Sequence, residues 1–183
     1  MSEESGAAIY VGVIYTRHDG STAPVHFPKL VEMYARVYAE PPYEEGPEQV
    51  SRFASLLPNE AARPGFTLIS AERNGVLIGA AYGLRMAAGQ WWSSTEQEPP
   101  AHLLDADKFA LMEWFVVPDE QGQGVGAGLM TRLLAGRPEP WAMLAADPRA
   151  PVREMYSRAG WRQVTRISAP WGPSMDVLVR ALD

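Results

Sequence analysis

The feature that most constrains this chain is a strand that runs through a glycine-rich turn into a helix. Residues 115–130 read FVVPDEQGQGVGAGLM, with glycines at positions 122, 124, 126 and 128. Glycine lets the backbone turn sharply and lets a ligand approach the main chain. The helix that follows offers unpaired N–H groups and a positive dipole end. The segment therefore predicts a binding site for phosphate or pyrophosphate.

Two common phosphate-binding loops do not fit this turn. A Walker loop needs Lys and then Ser or Thr after its glycines, and no Lys follows here. A Rossmann turn needs Gly-x-Gly-x-x-Gly, but none of the glycines at positions 122, 124 and 126 has another glycine three places later. A plain structural turn is the alternative, although so many glycines exceed what a turn needs.

Hydrophobic periodicity and turn residues predict the elements around this segment. The predicted order is β-α-α-β-β-β-α-β-α-β-β, an α/β fold of the α+β mixed-sheet kind. Asn74-Gly75 is the turn of a hairpin, and Pro58 is expected to end the second helix. The predicted strands cover 9–15, 66–72, 76–85, 109–117, 141–145, 161–167 and 175–181. The predicted helices cover 27–38, 124–134 and 150–159, together with a second helix that contains 50–57 and has Pro47 near its start.

Composition excludes several classes of function. The chain of 183 residues has a formal net charge of −6, which argues against a nucleic-acid-binding surface. It has no Cys, and its three His residues lack metal-ligand spacing, so we expect no disulfide, no cysteine nucleophile and no metal. No apolar run is long enough to span a membrane, and the N-terminus lacks a secretory pattern. We expect a short flexible tail over residues 1–8, one domain over 9–183, and a cytoplasmic location.

The motif Gln121-Gly122-Gln123-Gly124-Val125-Gly126 resembles the Gln/Arg-x-x-Gly-x-Gly/Ala signature of the GCN5-related N-acetyltransferases, the GNAT superfamily. A second segment, from Asp147 to Trp161, is similar to that family's Asn…Ala…Leu-Tyr…Gly-Phe region. The order of elements also matches, so the resemblance covers most of the chain. It implies a GNAT-like acyl-CoA N-acyltransferase fold with acetyl-CoA as cosubstrate.

The resemblance also implies which residues hold acetyl-CoA. Backbone N–H groups of Gln121, Gly122, Gln123, Gly124, Val125 and Gly126 would bind the pyrophosphate. The strand end at Phe115, Val116 and Val117 would pair with the pantetheine arm as a neighbouring strand would. Asp147, where the family often has Asn, would accept a hydrogen bond from a pantetheine amide.

Two residues are candidates for proton transfer. Tyr156 matches the family's helix tyrosine, whose hydroxyl lies near the CoA sulfur and would act as general acid. Glu113 is the one charged residue inside the strand predicted over 109–117, and burial would raise its pKa toward that of a useful base. The alternatives are a Tyr156 that only packs in the core and a Glu113 that faces solvent.

The acceptor is less constrained. Tyr82 and Trp92 could line its pocket, and the polar segment 86–108, which contains Trp91 and Trp92, is a candidate lid. Acidic residues in that segment favour a small cationic amine; they are Glu96, Glu98, Asp105 and Asp107. A GNAT-fold acyl-CoA sensor without turnover, or an acetyltransferase for a protein N-terminus or lysine, are the alternatives. The family often forms dimers, and the sequence does not determine whether this chain forms a homodimer.

Overall fold

The computed structural model describes residues 12–150, 153–168 and 172–183. The predicted tail and the start of the first predicted strand lie outside the described residues. The elements that the structure shows follow the predicted order, with one additional short α-helix and two short 3₁₀ helices.

A sheet of seven strands forms the framework. Their order in the sheet is β1-β2-β3-β4-β5-β7-β6, and every neighbouring pair is antiparallel except β4 and β5. The mixed sheet predicted from the sequence is therefore confirmed. The strands are β1 (Ile14–His18), β2 (Thr67–Arg73), β3 (Val76–Met86), β4 (Lys108–Val116), β5 (Trp141–Ala146), β6 (Arg162–Ile167) and β7 (Met175–Ala181).

The parallel pair β4–β5 separates before either strand ends. Their register runs from Lys108 opposite Trp141 only as far as Leu111 opposite Leu144. Beyond this point β4 continues to Val116, still paired on its other side with β3. The carboxyl-terminal half of β4 therefore has backbone groups that are not paired with β5, and an opening lies between the two strands.

Helices cover both faces of the sheet. They are α1 (Phe27–Tyr38), α2 (Pro47–Ala61), α3 (Ala101–Leu104), α4 (Val125–Leu134) and α5 (Arg153–Arg158). Side chains alternate along β4, so Glu113 contacts α1 through Tyr38, whereas the Trp114 indole donates to the Gly126 carbonyl in α4. We call the α1–α2 side the first face and the α4–α5 side the second face.

The expected end of the second helix at Pro58 is wrong, because α2 continues to Ala61. Proline removes one backbone donor and disfavours a helix interior. Pro58 is exposed, while Leu57 and Ala61 on either side of it are buried. Burial of these two side chains against the core offsets the lost hydrogen bond.

The segment between β3 and β4 is packed onto the sheet. Trp91 and Trp92 contact a hydrophobic cluster that includes Leu84, Ala110 and Met143. Further along, the Glu96 amide donates to the carbonyl of Arg166 in β6. The middle of the segment is thus held against the sheet, and a lid formed by 86–108 stays a prediction.

Candidate active site

The glycine-rich turn has the backbone shape that its sequence predicts. A short 3₁₀ turn at Pro118–Glu120 leads into Gly122 and Gly124, with φ of 75° and 83°. Such positive φ values favour glycine, and Gly124 is also the residue that caps α4. A Cβ built on either glycine would meet no atom within 4 Å, so space beside the turn is open.

The backbone N–H groups available to a ligand at this turn differ from the predicted set, because that of Gln121 is already used. The Gln121 N–H donates to the Pro118 carbonyl, and the Gln121 side chain donates to the Val116 carbonyl. Gln121 therefore stabilises the turn itself. The N–H groups of Val125, Gly126 and Ala127 lie in the first turn of α4, where a helix offers no internal acceptor. Ala127 was not predicted, and its side chain is exposed.

The strand end expected to pair with the pantetheine arm lies beside the opening. Phe115 and Val116 pair with β3 on one side only, and the Val117 amide donates to Ile78. The Phe115 ring packs edge-on against Tyr38, with 6.2 Å between ring centroids. This placement agrees with the predicted role of Phe115, Val116 and Val117, which stays a prediction.

Glu113 lies on the first face at the start of the opening. Its Oε2 accepts a hydrogen bond of 2.8 Å from the Tyr38 hydroxyl. Burial raises the pKa of the Glu113 carboxyl from its ordinary 4.5 to about 8; the Tyr38 hydrogen bond opposes this rise, and the charges of Glu60 and Glu45 add to it. The solvent-facing alternative for Glu113 does not describe this environment.

Tyrosine hydroxyls hold two further carboxylates near Glu113. Tyr34 donates to Glu45, and Tyr82 donates to Glu60 at 2.6 Å. We call Glu45, Glu60 and Glu113 the carboxylate cluster. No local sequence pattern shows that the Tyr34 hydroxyl, on α1, meets Glu45.

Tyr82 lies inside the protein, with 1% of its surface exposed. It is the register partner of Glu113, but its hydroxyl is bonded to Glu60. In this structure Tyr82 supports the carboxylate cluster and offers no surface to an acceptor. Trp92 packs in the hydrophobic cluster over Leu84, and a role for it in acceptor binding stays a prediction.

Tyr156 reaches the opening from the second face. It is buried, and its ring lies 5.7 Å from that of Trp114 and 6.2 Å from that of Trp161. Burial raises its pKa above the ordinary value, which keeps the hydroxyl protonated at neutral pH. Glu113 and Trp114 are consecutive, so Glu113 and Tyr156 flank β4 on opposite faces.

Asp147 is buried and neutralised by a neighbour in sequence. Its two oxygens accept from the Arg149 guanidinium at 3.0 and 2.6 Å, and the Arg149 amide also donates to it. These hydrogen bonds hold the Asp147 pKa below its ordinary value. The carboxylate is therefore ionised but paired, which reduces its repulsion of a phosphate.

Tyr43, in the connection between α1 and α2, was not predicted. Burial raises its pKa, and the charges of Asp147 and Glu113 raise it further. The charges of both carboxylates therefore act on the Tyr43 hydroxyl. Its ring packs edge-on against Tyr38, with centroids 4.9 Å apart.

The described residues contain neither a metal site nor a membrane-spanning helix. No group of three or more His, Asp or Glu side chains in that part of the chain could hold a metal ion. None of the helices described is long and apolar enough to cross a membrane.

Comparison with known families identifies the fold. Residues 28–161 match the model of the Acetyltransferase (GNAT) family, and this match spans more than half of the chain. The chain belongs to the Acetyltransferase (GNAT) family. The matched region contains the glycine-rich turn, Glu113, Asp147 and Tyr156, so the resemblance inferred from Gln121–Gly126 is confirmed at the level of the family.

One curated relative is similar to about half of this chain. The chain is 34% identical over 109 residues to a GCN5-like protein acetyltransferase of Mycobacterium tuberculosis, which covers 51% of this chain and 52% of that protein. The chain thus spans about half the length of this curated relative.

Solved structures show the same fold. The PaiA N-acetyltransferase of Thermoplasma acidophilum, crystallised with coenzyme A, has a TM-score of 0.60 at 14% identity and covers 93% of this chain and 99% of its own. An aminoglycoside 6′-acetyltransferase type Ii has a TM-score of 0.62 at 16% identity, with 92% and 96% covered.

Proposed function

We propose that this GNAT protein transfers an acetyl group from acetyl-CoA directly to a primary amine of a small cationic molecule. The observation that carries the proposal is the opening between β4 and β5, which has the helix N-terminus of α4 at one end and Glu113 and Tyr156 on its two sides. The neighbour crystallised with coenzyme A supports the choice of cosubstrate.

The turn and strand fit this cosubstrate. Open space at Gly122 and Gly124 lets a pyrophosphate approach the N–H groups of Val125, Gly126 and Ala127, which carry the positive end of the α4 dipole. Backbone groups of β4 past Leu111 are available to an extended amide-bearing chain. Bound acetyl-CoA supplies an activated thioester.

Glu113 and Tyr156, which flank the opening, can act as proton acceptor and proton donor respectively. Glu113, with a pKa of about 8, can accept a proton from an ammonium group, which must lose one before its nitrogen can attack. Tyr156 keeps its proton at neutral pH and can give it to a departing thiolate. No side chain needs to form a covalent intermediate, in agreement with a chain that has no Cys.

Charge on the first face favours a cationic acceptor. Glu45, Glu60 and Glu113 lie close enough that the charges of the first two raise the pKa of the third. A bound cation would relieve this repulsion, whereas an anionic acceptor would increase it. Of the acidic residues in 86–108 first considered for this role, Asp107 pairs with Arg85 and Glu96 accepts from Ser168.

A protein amine is the second candidate. The relative that is 34% identical is described as a protein acetyltransferase, and a lysine or an N-terminal amine is also a cation. The same carboxylate cluster would serve either acceptor, so the two candidates differ in the size of the group beyond the amine.

The test is release of free CoA from acetyl-CoA in the presence of separate amines. Polyamines, aminoglycosides, amino acids and N-terminal or lysine-containing peptides form the panel, with the Glu113→Gln variant as control. We expect the wild-type protein to acetylate a small polycation and the Glu113→Gln variant to lose this activity. Turnover only with peptides would favour the second candidate, and acetyl-CoA binding without turnover of any amine would favour an acyl-CoA sensor.

A further inference from the structure

We propose that Tyr38 is a positioning residue for Glu113: its hydroxyl fixes the orientation of the carboxyl and favours the form that can accept a proton. The inference rests on the proposed function, in which Glu113 is the base for the acceptor amine. Tyr38 reaches Glu113 from α1, 75 residues away in sequence, so the contact exists only in the folded protein.

The Tyr38 ring is fixed from three sides, which fixes the direction of its hydroxyl. Ring centroids of Tyr34, Tyr43 and Phe115 lie 4.5, 4.9 and 6.2 Å from that of Tyr38. These neighbours come from α1, the α1–α2 connection and β4. The hydroxyl then donates to Oε2 of Glu113 at 2.8 Å, and Oε1 is the oxygen left to accept a proton from the amine.

The groups that act on Glu113 make this one hydrogen bond important. The ionisable side chains that face it are tyrosines and carboxylates from α1, the α1–α2 connection, α2 and β3: Tyr34, Tyr38, Tyr43, Glu45, Glu60 and Tyr82. The arginines that act nearby, Arg52, Arg63 and Arg149, influence Tyr34, Glu60 and Tyr43 instead.

Burial and the neighbouring carboxylates all raise the pKa of Glu113, and the Tyr38 hydroxyl is the influence that lowers it. Without this hydrogen bond the carboxyl would stay protonated to higher pH. It would then be a base over a narrower range of pH.

The first experiment reads the carboxyl directly. Protein labelled with ¹³C in the glutamate carboxyl is titrated by NMR, and the Glu113→Gln variant assigns the signal of Glu113. A hydrogen bond to a charged group is strong enough that Tyr38→Phe should move the Glu113 titration up by about one to two pH units. The control is Tyr34→Phe, which also removes one tyrosine hydroxyl oxygen from α1. That hydroxyl donates to Glu45 and not to Glu113, so this variant should move the Glu113 titration by less than half as much.

The second experiment reads the reaction. The acid limb of kcat/KM against pH, measured with the best amine of the panel, should move up in Tyr38→Phe by the same amount as the NMR titration. A role in packing alone would lower activity without moving this limb.

Each outcome decides between the two proposals. An NMR titration that does not move in Tyr38→Phe overturns the role of Tyr38, whether or not the enzyme is active. A titration that moves while the acid limb stays in place also overturns it, because Glu113 is then not the base. Wild-type protein that acetylates no amine while the NMR titration moves overturns the proposed function and leaves the Tyr38–Glu113 coupling established.

Discussion

Glu113→Gln should make the protein more stable, and more so at high pH. The structure holds the Glu113 pKa at about 8, whereas the unfolded chain would have the ordinary 4.5. Each pH unit between these values corresponds to about 1.4 kcal/mol, so the ionised carboxyl costs the folded protein about 5 kcal/mol. This value is an upper bound, because water can enter the opening and screen the charge.

The sign follows from proton binding. Below pH 4.5 the carboxyl is protonated in both states, and Glu113 contributes no difference. Between pH 4.5 and 8 the folded state binds more protons than the unfolded state, so a rise in pH lowers the free energy of unfolding. Above pH 8 both states are ionised and the loss is complete. About 3 kcal/mol of the cost is expected to arise between pH 6 and pH 9.

The assay is urea unfolding followed by tryptophan fluorescence at pH 6 and pH 9, for wild type, Glu113→Gln and Glu98→Gln. The amide can still accept from Tyr38, so the hydrogen bond survives in the first variant. Glu98 is exposed, and its variant controls for the loss of one carboxyl. If the stability difference between Glu113→Gln and wild type is equal at the two pH values, Glu113 does not have a raised pKa and the reasoning fails.

Three further predictions concern the turn, the acid and the sheet. Ala127→Glu, in the first turn of α4, should weaken acetyl-CoA binding at least tenfold, measured by calorimetry, because its charge repels the phosphates. The helix should stay as stable as before, since a carboxylate near its N-terminus interacts favourably with the helix dipole. The control variant Ala127→Gln should bind acetyl-CoA nearly as wild type does. Tyr156→Phe should lower kcat about a hundredfold with acetyl-CoA affinity nearly unchanged, and equal turnover would exclude Tyr156 as the acid. Gly83→Ala should lower the free energy of unfolding by about 1–3 kcal/mol, because the new Cβ would lie 2.5 Å from the Ala110 carbonyl oxygen. In thermal or urea unfolding Gly172→Ala is the control, since its Cβ meets no atom within 4 Å.

Elements with a strong local signal were predicted well. Helix α1 covers the predicted 27–38, and the Asn74-Gly75 turn joins two strands within one residue of the predicted bounds. Helix α2 was predicted to end too early, and it passes Pro58 because burial of neighbouring side chains outweighs a local penalty. Tertiary packing of this kind has no signature within a short window of sequence.

The candidate site likewise contains residues that the sequence predicts and residues that it does not. The glycine-rich turn could be predicted because its donors belong to one continuous stretch of backbone, although the use of the Gln121 N–H inside the turn could not. Glu113 was found as the one charge in an apolar strand. Glu45, Glu60 and Tyr38 were missed, because their proximity to Glu113 depends on how α1 and α2 pack on the sheet.

The sequence by itself determined that a strand, a turn with positive φ and a helix N-terminus follow one another, since backbone geometry over some fifteen residues depends on those residues. That was enough to predict a pyrophosphate site, and together with the segment from Asp147 to Trp161 and the order of elements it predicted the GNAT family. Only the tertiary structure decided that β4 and β5 separate past Leu111, and that Glu113 meets a tyrosine hydroxyl and two more carboxylates. A pKa depends on every charge and dipole within several ångströms, and here those groups come from four separate parts of the chain.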